Sequence, residues 1–373
     1  MEPAAREDLM TRRAQDSVVP TEYWHRLEDG RVQCDVCPHF CTMREGQRGL
    51  CFVRARQQDR IVLTTYGRSS GFCVDPIEKK PLNHFLPGTA VLSFGTEGCN
   101  LSCKYCQNWD ISKSREIAKL ADEASPELIA RAARELNCRS VAFTYNDPTI
   151  FLEYAIDVAE ACHEVGIATV AVTAGYICEK PREAFYRDID AANVDLKAFT
   201  EKFYRQITGA HLQPVLDTLV YLKRQTNVWL EITNLVIPGH NDSEKETDAM
   251  TRWVVENLGP DVPMHFSAFH PDWRMMDVPR TPPATLSRAR TIALGNGVRY
   301  AYTGNVRHEE GESTSCHRCG ARLIGRDGYV LTEWNLDKGH CAACGEPCAG
   351  VFENEPGQWG AHRLPVRLKD FAA

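Results

Sequence analysis

The sequence predicts an α/β protein built on a parallel sheet, with a cysteine-rich segment before the sheet and a second cysteine-rich module after it. Three observations carry this reading. From Val91 onward, short runs rich in β-branched and aromatic residues alternate with stretches of helical period. Sixteen cysteines fall mostly into three tight clusters, at 34/37/41/51, 99/103/106 and 316/319/341/344/348. Of 373 residues, 43% are hydrophobic and 25% charged, enough to bury the core of one large domain with small additions.

Residues 1–20 read as a mobile polar arm, mixing both charge signs without an apolar run. Residues 21–90 form a cysteine-rich segment and a connector; residues 21–60 have too few apolar residues for a core of their own, and a metal would substitute for one. The regular part spans 91–305. VLSF (91–94) is its first strand and runs into the second cysteine cluster. A helix over 126–137 follows Ser125 as N-cap, with Pro126 at its first position and Leu128, Ile129, Ala132, Ala133 and Leu136 on one face. Strand 140–145, a helix over 149–165 stopped by Gly166, strand 167–173, a short helix and strand 193–199 come next. Helix 214–225, strand 228–237, helix 243–258, strand 264–269, helix 284–295 and strand 298–303 complete the alternation. Residues 312–355 change character: paired cysteines, many glycines and little helical period mark a small metal-stabilised module, followed by a tail over 356–373. Six or seven strands fit both a curved partial (β/α)6-type barrel and a doubly wound sheet. In either, ligands gather at the C-terminal ends of the strands.

A net charge of −7 gives no general attraction to nucleic acid or anionic lipid. The N-terminus lacks the apolar run of a signal peptide, and no stretch approaches a membrane span, so a cytoplasmic location is expected. There thiols stay reduced, and closely spaced cysteines favour metal thiolates over disulfides.

The segment GTEGCNLSCKYCQNWDISK holds Cys99, Cys103 and Cys106 in a C-x3-C-x2-C spacing directly after a strand. A cubane of four irons normally takes four protein ligands. Three thiolates on one loop bind three irons and leave the fourth open, free to chelate the amino and carboxylate groups of a small molecule such as S-adenosylmethionine (SAM). Tyr105 could shield such a cluster or pack on an adenine. A zinc loop, or a cluster completed by a distant Cys138 or Cys178, is the alternative reading of the spacing alone.

The segments CDVCPHFCTMREGQRGLC, GCNLSCKYCQNWDISK, TYNDPT, VDLKAF, NLVIPGHND, HFSAFHPDWRM and TGNVRHEEGESTSCHRCG together resemble the radical SAM superfamily over roughly residues 30–355. Within it the chain resembles the branch related to pyruvate formate-lyase activating enzymes, and more closely the radical SAM enzymes of the AmmeMemoRadiSam system. The resemblance implies a partial radical SAM barrel, a [4Fe–4S] cluster on Cys99, Cys103 and Cys106, and SAM as cofactor. It also implies a reductant such as flavodoxin or ferredoxin, with Memo-like and AMME-type proteins as partners. It places Asn146 and Asp147 at the SAM ammonium, Thr173 at the third strand end, Asp195 and Lys197 near the ribose or carboxylate, and His270 against the cofactor. Without a ligand, Asn-Asp-Pro would be an Asx turn and Asp195–Lys197 an internal ion pair. His265 reads as structural.

Cys316-x2-Cys319-Gly and Cys341-x2-Cys344-Gly match paired zinc knuckles, with Cys348, His317 and His340 as spare ligands. Cys34-x2-Cys37-x3-Cys41-x9-Cys51 offers four thiolates that suit either zinc or an auxiliary Fe–S cluster. The expected function is reductive SAM cleavage and hydrogen abstraction from a protein, as in glycyl-radical activation, or from a small molecule. A non-catalytic Fe–S electron carrier or metal-stabilised scaffold is the alternative, and nucleic-acid modification is disfavoured by the charge.

Overall fold

The computed structural model describes residues 17–113, 122–307 and 309–372. Most of the expected arm lies outside these residues; its last part, Val19–Pro20, is a strand paired antiparallel with Val62 and Leu63.

Nine strands form the main sheet: β1 (Phe72–Pro76), β2 (Ala90–Phe94), β3 (Ser140–Phe143), β4 (Ala168–Thr173), β5 (Ala191–Asp195), β6 (Trp229–Val236), β7 (Met264–Ala268), β8 (Ala301–Gly304) and β9 (Leu364–Val366). Their spatial order is β8-β7-β6-β5-β4-β3-β2-β1-β9. All seven strands from β2 to β8 run parallel, each beside its sequence neighbour. A doubly wound sheet reverses its order at a switch point; this order never reverses from β1 to β8. The strands are near-continuous buried runs, as expected of a parallel sheet covered on both faces.

The connecting helices are α1 (Pro126–Glu135), α2 (Leu152–Glu164), α3 (Glu179–Tyr186), α4 (Leu212–Gln225), α5 (Glu244–Leu258) and α6 (Pro283–Gly295). Helix α1 starts where the sequence predicts: the Ser125 hydroxyl accepts from the Leu128 N–H, Pro126 is the first residue, and Ile129, Ala132 and Ala133 are buried. In α4 the 3–4 spacing of Val215, Leu216, Leu219 and Leu222 makes the buried face.

The structure departs from the sequence reading at the sheet's outer edge. Residues 61–90, read as a connector, contain β1, which runs antiparallel to β2, and the tail supplies β9 against β1. All five residues of β1 are buried, so FCVDP shows no alternation, and its Asp75 and Pro76 disguise it. The N-terminal cysteine-rich segment has no separate core; Val32, Val36, Met43 and Val53 join the core of the sheet. Residues 314–341 carry the three-stranded antiparallel sheet Thr314–Ser315, Arg322–Asp327 and Val330–Trp334, then a bridge of Leu336–Asp337 with His340–Cys341. Leu323, Ile324 and Leu336 pack there with Tyr300 and Tyr302 of the main chain fold.

Candidate functional site

The loop after β2 carries the central cysteines, and backbone contacts from three directions pin it. Ser102 and Lys104 N–H groups donate to the Thr208 and Ile207 carbonyls at 2.7 and 3.0 Å, and the Lys113 ammonium donates to the Leu101 carbonyl at 2.7 Å. From the end of β3, the Asn146 amide donates to the Thr96 and Gly98 carbonyls at 3.0 and 2.8 Å. Gly98 has φ +82°, and a Cβ there would stand 2.1 Å from the Cys51 carbonyl oxygen, so only glycine fits.

Cys99, Cys103 and Cys106 line one cavity of about 920 Å³ at the C-terminal ends of the strands. Among the predicted contacts, Tyr105, Asn146, Asp147, Thr173, Asp195 and Lys197 line the same cavity. His270 does not: it sits on the loop after β7, 39% exposed, with its Nδ1 3.9 Å from Asp272. The preceding residue, Phe269, donates its N–H to Thr281 Oγ1 at 2.9 Å. Neither Cys138 nor Cys178, the alternative fourth ligands, lines the cavity.

Asp147 makes the Asx turn that Asn-Asp-Pro favours, accepting from the Thr149 N–H at 3.0 Å. Its other oxygen accepts from Thr173 Oγ1 at 3.1 Å and the Ala174 N–H at 2.8 Å, tying the end of β3 to the end of β4. Burial raises its pKa and these hydrogen bonds oppose the rise. Asn146 keeps a buried side-chain oxygen with no hydrogen-bond partner among the described residues. Asp195 and Lys197 pair at 2.9 Å, as two residues on one side of a strand end can. Burial works against the Lys197 charge, but Asp195, Tyr105 and Cys103 outweigh it, and the pKa stands well above that of free lysine. Tyr105 is buried, its hydroxyl unpartnered among the described residues and its ring centroid 6.0 Å from Lys197 Nζ.

The sequence reading missed part of the wall. Thr233, His265, Ser267 and Thr303 line the cavity from β6, β7 and β8, and the C-terminal module adds Arg326 and Tyr329. The hydroxyls of Thr233 and Thr303 are buried without partners among the described residues. A signal existed in β6: Glu231 and Thr233 recur with period two in the strand WLEITNLV, so they share one of its faces. Glu231 itself is structural, accepting from the Asn83 and His84 N–H groups, from Trp229 Nε1 and, at 2.6 Å, from His265.

In the C-terminal module the sulfur atoms of Cys316, Cys319, Cys341 and Cys344 all lie within 4.8 Å of one another. Gly320 and Gly345, with φ +76° and +72°, let each knuckle turn its N–H back to the carbonyl of the first cysteine of the pair. The spare residues are engaged elsewhere: His317 pairs with Glu346 at 3.2 Å, His340 contacts the Lys338 carbonyl, and Cys348 lies beside His84. Cys34, Cys37, Cys41 and Cys51 line a second, small cavity behind the central loop. Burial pushes the Cys34 thiol up to about 12, although Arg54 opposes it, so without a metal this thiol stays protonated. Among the described residues no helix is long and apolar enough to cross a membrane.

The donor chemistry suits a site-differentiated cluster: three thiolates on a pinned loop face a cavity in which no other described cysteine lies. Comparison with known proteins agrees. Residues 94–250 match the model of the radical SAM superfamily. The chain is 39% identical to the uncharacterized protein MJ0808 of Methanocaldococcus jannaschii, over 87% of this chain and 97% of that one. It is 26% identical to the pyruvate formate-lyase-activating enzyme of Clostridium pasteurianum, over 46% of this chain and 71% of that enzyme. Among solved structures, a radical SAM methyltransferase from Sphaerobacter thermophilus aligns over 83% of each chain with 14% identity and a TM-score of 0.47. The cysteine loop, the parallel sheet behind it and the family match agree on one assignment: the chain carries a radical SAM domain over residues 94–250.

Proposed function

We propose that this chain cleaves SAM reductively at a [4Fe–4S] cluster held by Cys99, Cys103 and Cys106, and takes a hydrogen atom from a substrate bound in the same cavity. One observation carries the reading: the three cysteines share a single 920 Å³ cavity with six of the seven predicted cofactor contacts. Small-ligand sites run to roughly 300–1,000 Å³, so this volume accommodates SAM and part of a substrate. When bound and reduced by an external one-electron donor, such a cluster would supply one electron to the sulfonium of SAM, whose C–S bond cleavage would give methionine and a 5′-deoxyadenosyl radical able to abstract hydrogen.

The chain's own residues bind and orient. Asn146 offers its unpartnered side-chain oxygen to the SAM ammonium while its amide holds the cysteine loop. Asp147 fixes the strand ends through three accepted hydrogen bonds and keeps acceptor capacity for the same ammonium. Lys197, oriented by Asp195, offers an ammonium to the SAM carboxylate, and Asp195 has a second oxygen for the ribose hydroxyls. Tyr105 covers the cluster from the side of Phe203, 6.2 Å away between ring centroids. Thr233, Ser267, Thr303 and Arg326 line the remaining space and face the substrate.

We read residues 91–305 as a partial (β/α)6-type barrel, and residues 312–355 as a zinc ribbon that completes its wall. Similarity to a pyruvate formate-lyase-activating enzyme favours a protein substrate that receives a glycyl radical, with an electron supplied by a flavodoxin- or ferredoxin-class reductant. Memo-like and AMME-type proteins are candidate partners on the resemblance in the motifs. The test is anaerobic: reconstitute the protein, reduce with dithionite, add SAM and measure 5′-deoxyadenosine. The wild type should produce it and the variant Cys99→Ala/Cys103→Ala/Cys106→Ala should not; none from a fully iron-loaded wild type overturns the proposal.

A further inference from the structure

We propose that Cys34, Cys37, Cys41 and Cys51 hold a second [4Fe–4S] cluster, ligated by protein at all four irons, and not a zinc ion. The chain contains its own ruler. Zinc–sulfur bonds of about 2.3 Å place the four sulfurs of a tetrahedral site about 3.8 Å apart. The C-terminal set meets this, with Cys316–Cys344 and Cys319–Cys341 both at 3.7 Å between sulfurs. The N-terminal set does not. The C-terminal set is the one group among the described residues with three or more ligand atoms mutually within 4.8 Å, so no three of the N-terminal sulfurs are that close. Cys99, Cys103 and Cys106 show the same wide spacing. Two of the three cysteine sets are therefore too wide for one ion and suited to a body with a metal at each corner.

The four N-terminal cysteines nevertheless face a common centre. They line one cavity of about 20 Å³, together with Val36, Met43, Leu50 and Ile150. That volume admits a water-sized sphere, for which about 10–15 Å³ is enough; sulfurs in mutual contact around zinc leave no such space. Water is a poor occupant, because the polar side chains on the wall are committed elsewhere. His39 Nε2 is 2.6 Å from the Asn100 carbonyl, Asn100 Nδ2 donates to Tyr176, and Arg54 donates to Glu153 and the Ile150 carbonyl. Backbone structure fixes where the cysteines stand. Cys34 ends a strand paired with Thr42–Met43, the Cys34 N–H donates to the Cys41 carbonyl at 3.0 Å, and the Leu50 N–H donates to Cys41 Sγ at 3.4 Å.

This second site abuts the first. Gly98, next to Cys99, packs against the Cys51 carbonyl so closely that a methyl group would overlap it, and His39 reaches the carbonyl of Asn100. Full protein ligation leaves no iron open, so SAM binds at the central cluster and not here.

The proposal does not rest on SAM cleavage, and its test reads metal content and spectra. The full chain is reconstituted anaerobically with iron, sulfide and zinc together, then analysed by metal determination, Mössbauer spectroscopy and EPR of the reduced state. The expected wild type holds about eight irons and one zinc; about four irons and two zincs overturn the proposal. In Cys99→Ala/Cys103→Ala/Cys106→Ala, about four irons with a [4Fe–4S] spectrum should remain; zinc without iron, or a [2Fe–2S] spectrum, overturns it. In reduced wild type two cluster signals are expected, with SAM changing one; a single signal that SAM changes entirely overturns it. The wild-type measurements decide even where a variant fails to fold.

Discussion

Mild acid should loosen the joint between the sheet and the C-terminal module, through His84. This side chain is fully buried, ringed by Trp229, Tyr300, Tyr302 and Phe352. Its partners assign the neutral tautomer: Nδ1 donates to the Ala349 carbonyl at 2.6 Å, leaving Nε2 to accept from the Tyr302 hydroxyl. Arg326 donates to Thr314 Oγ1 at 2.9 Å, which frees Thr314 to donate to Tyr302 at 2.8 Å. Burial pushes the imidazole from 6.5 down to about 4, against the pull of Glu231 and the Ala349 carbonyl. A histidine with a lower pKa when folded takes up its proton more readily when unfolded. Its contribution is intact above pH 6.5 and is lost as the pH falls towards 4. In full the gap is worth about 3 kcal/mol, of which about 2 kcal/mol has gone by pH 5. The control is His84→Gln, which keeps a donor and an acceptor but does not titrate. Urea unfolding of both proteins near pH 7.5 and pH 5 should show wild type losing about 2 kcal/mol more than the variant. Equal losses would refute the reasoning, because acid lability of the metal sites is common to both proteins.

Three further outcomes follow from the packing. Arg54 is 2% exposed and bonded by both terminal nitrogens to Glu153 at 2.8 and 2.6 Å. Glu153→Ala should therefore cost about 3–5 kcal/mol by stranding a buried cation, and urea midpoints should show Arg54→Met/Glu153→Leu recovering most of the loss. Asn146→Ala removes the two hydrogen bonds that clamp the central loop, about 1–3 kcal/mol locally, so its cluster absorbance should bleach faster under an iron chelator than that of wild type. Cys319→Ser should lower zinc by about one ion per chain and reduce the melting temperature, measured by zinc determination and a thermal scan, while iron content stays at the wild-type value.

What could be read from the sequence was local. Ser125 and Pro126 announce a helix start within three residues, and the β-branched residues of Ala168–Thr173 mark it as a strand. The central cysteines are legible because their spacing on one loop is itself the chemistry. What could not be read is settled by contacts far apart in the chain. Asp75 looks wrong for a buried strand until Lys79, Lys80 and Arg363 surround it, the last of them 288 residues away. Asp147 reads equally well as ligand or turn, and only Thr173 and Ala174 arriving from the next strand show its oxygens engaged. His270 follows a strand end, as a cofactor contact would, yet it is not among the residues lining the cavity.

The two flanking cysteine sets sharpen the point. Each supplies four thiolates within a short stretch, and sequence spacing alone permits zinc in both. The distinguishing quantity is the distance between sulfurs, which depends on how far the surrounding backbone holds them apart. In the C-terminal module two glycine-terminated knuckles face each other, and their sulfurs meet at 3.7 Å. In the N-terminal segment the one knuckle-like pair, Cys34 and Cys37, must meet Cys41 just before the strand Thr42–Met43 and Cys51 in a turn, around a centre walled by Val36, Met43, Leu50 and Ile150. That wall is set by core packing shared with the main sheet, because Val36 and Met43 belong to the same buried core as β2 and β3. On the proposed reading the metal is selected by residues other than its ligands, which is why counting ligands leaves the choice open and metal analysis of the reconstituted chain decides it.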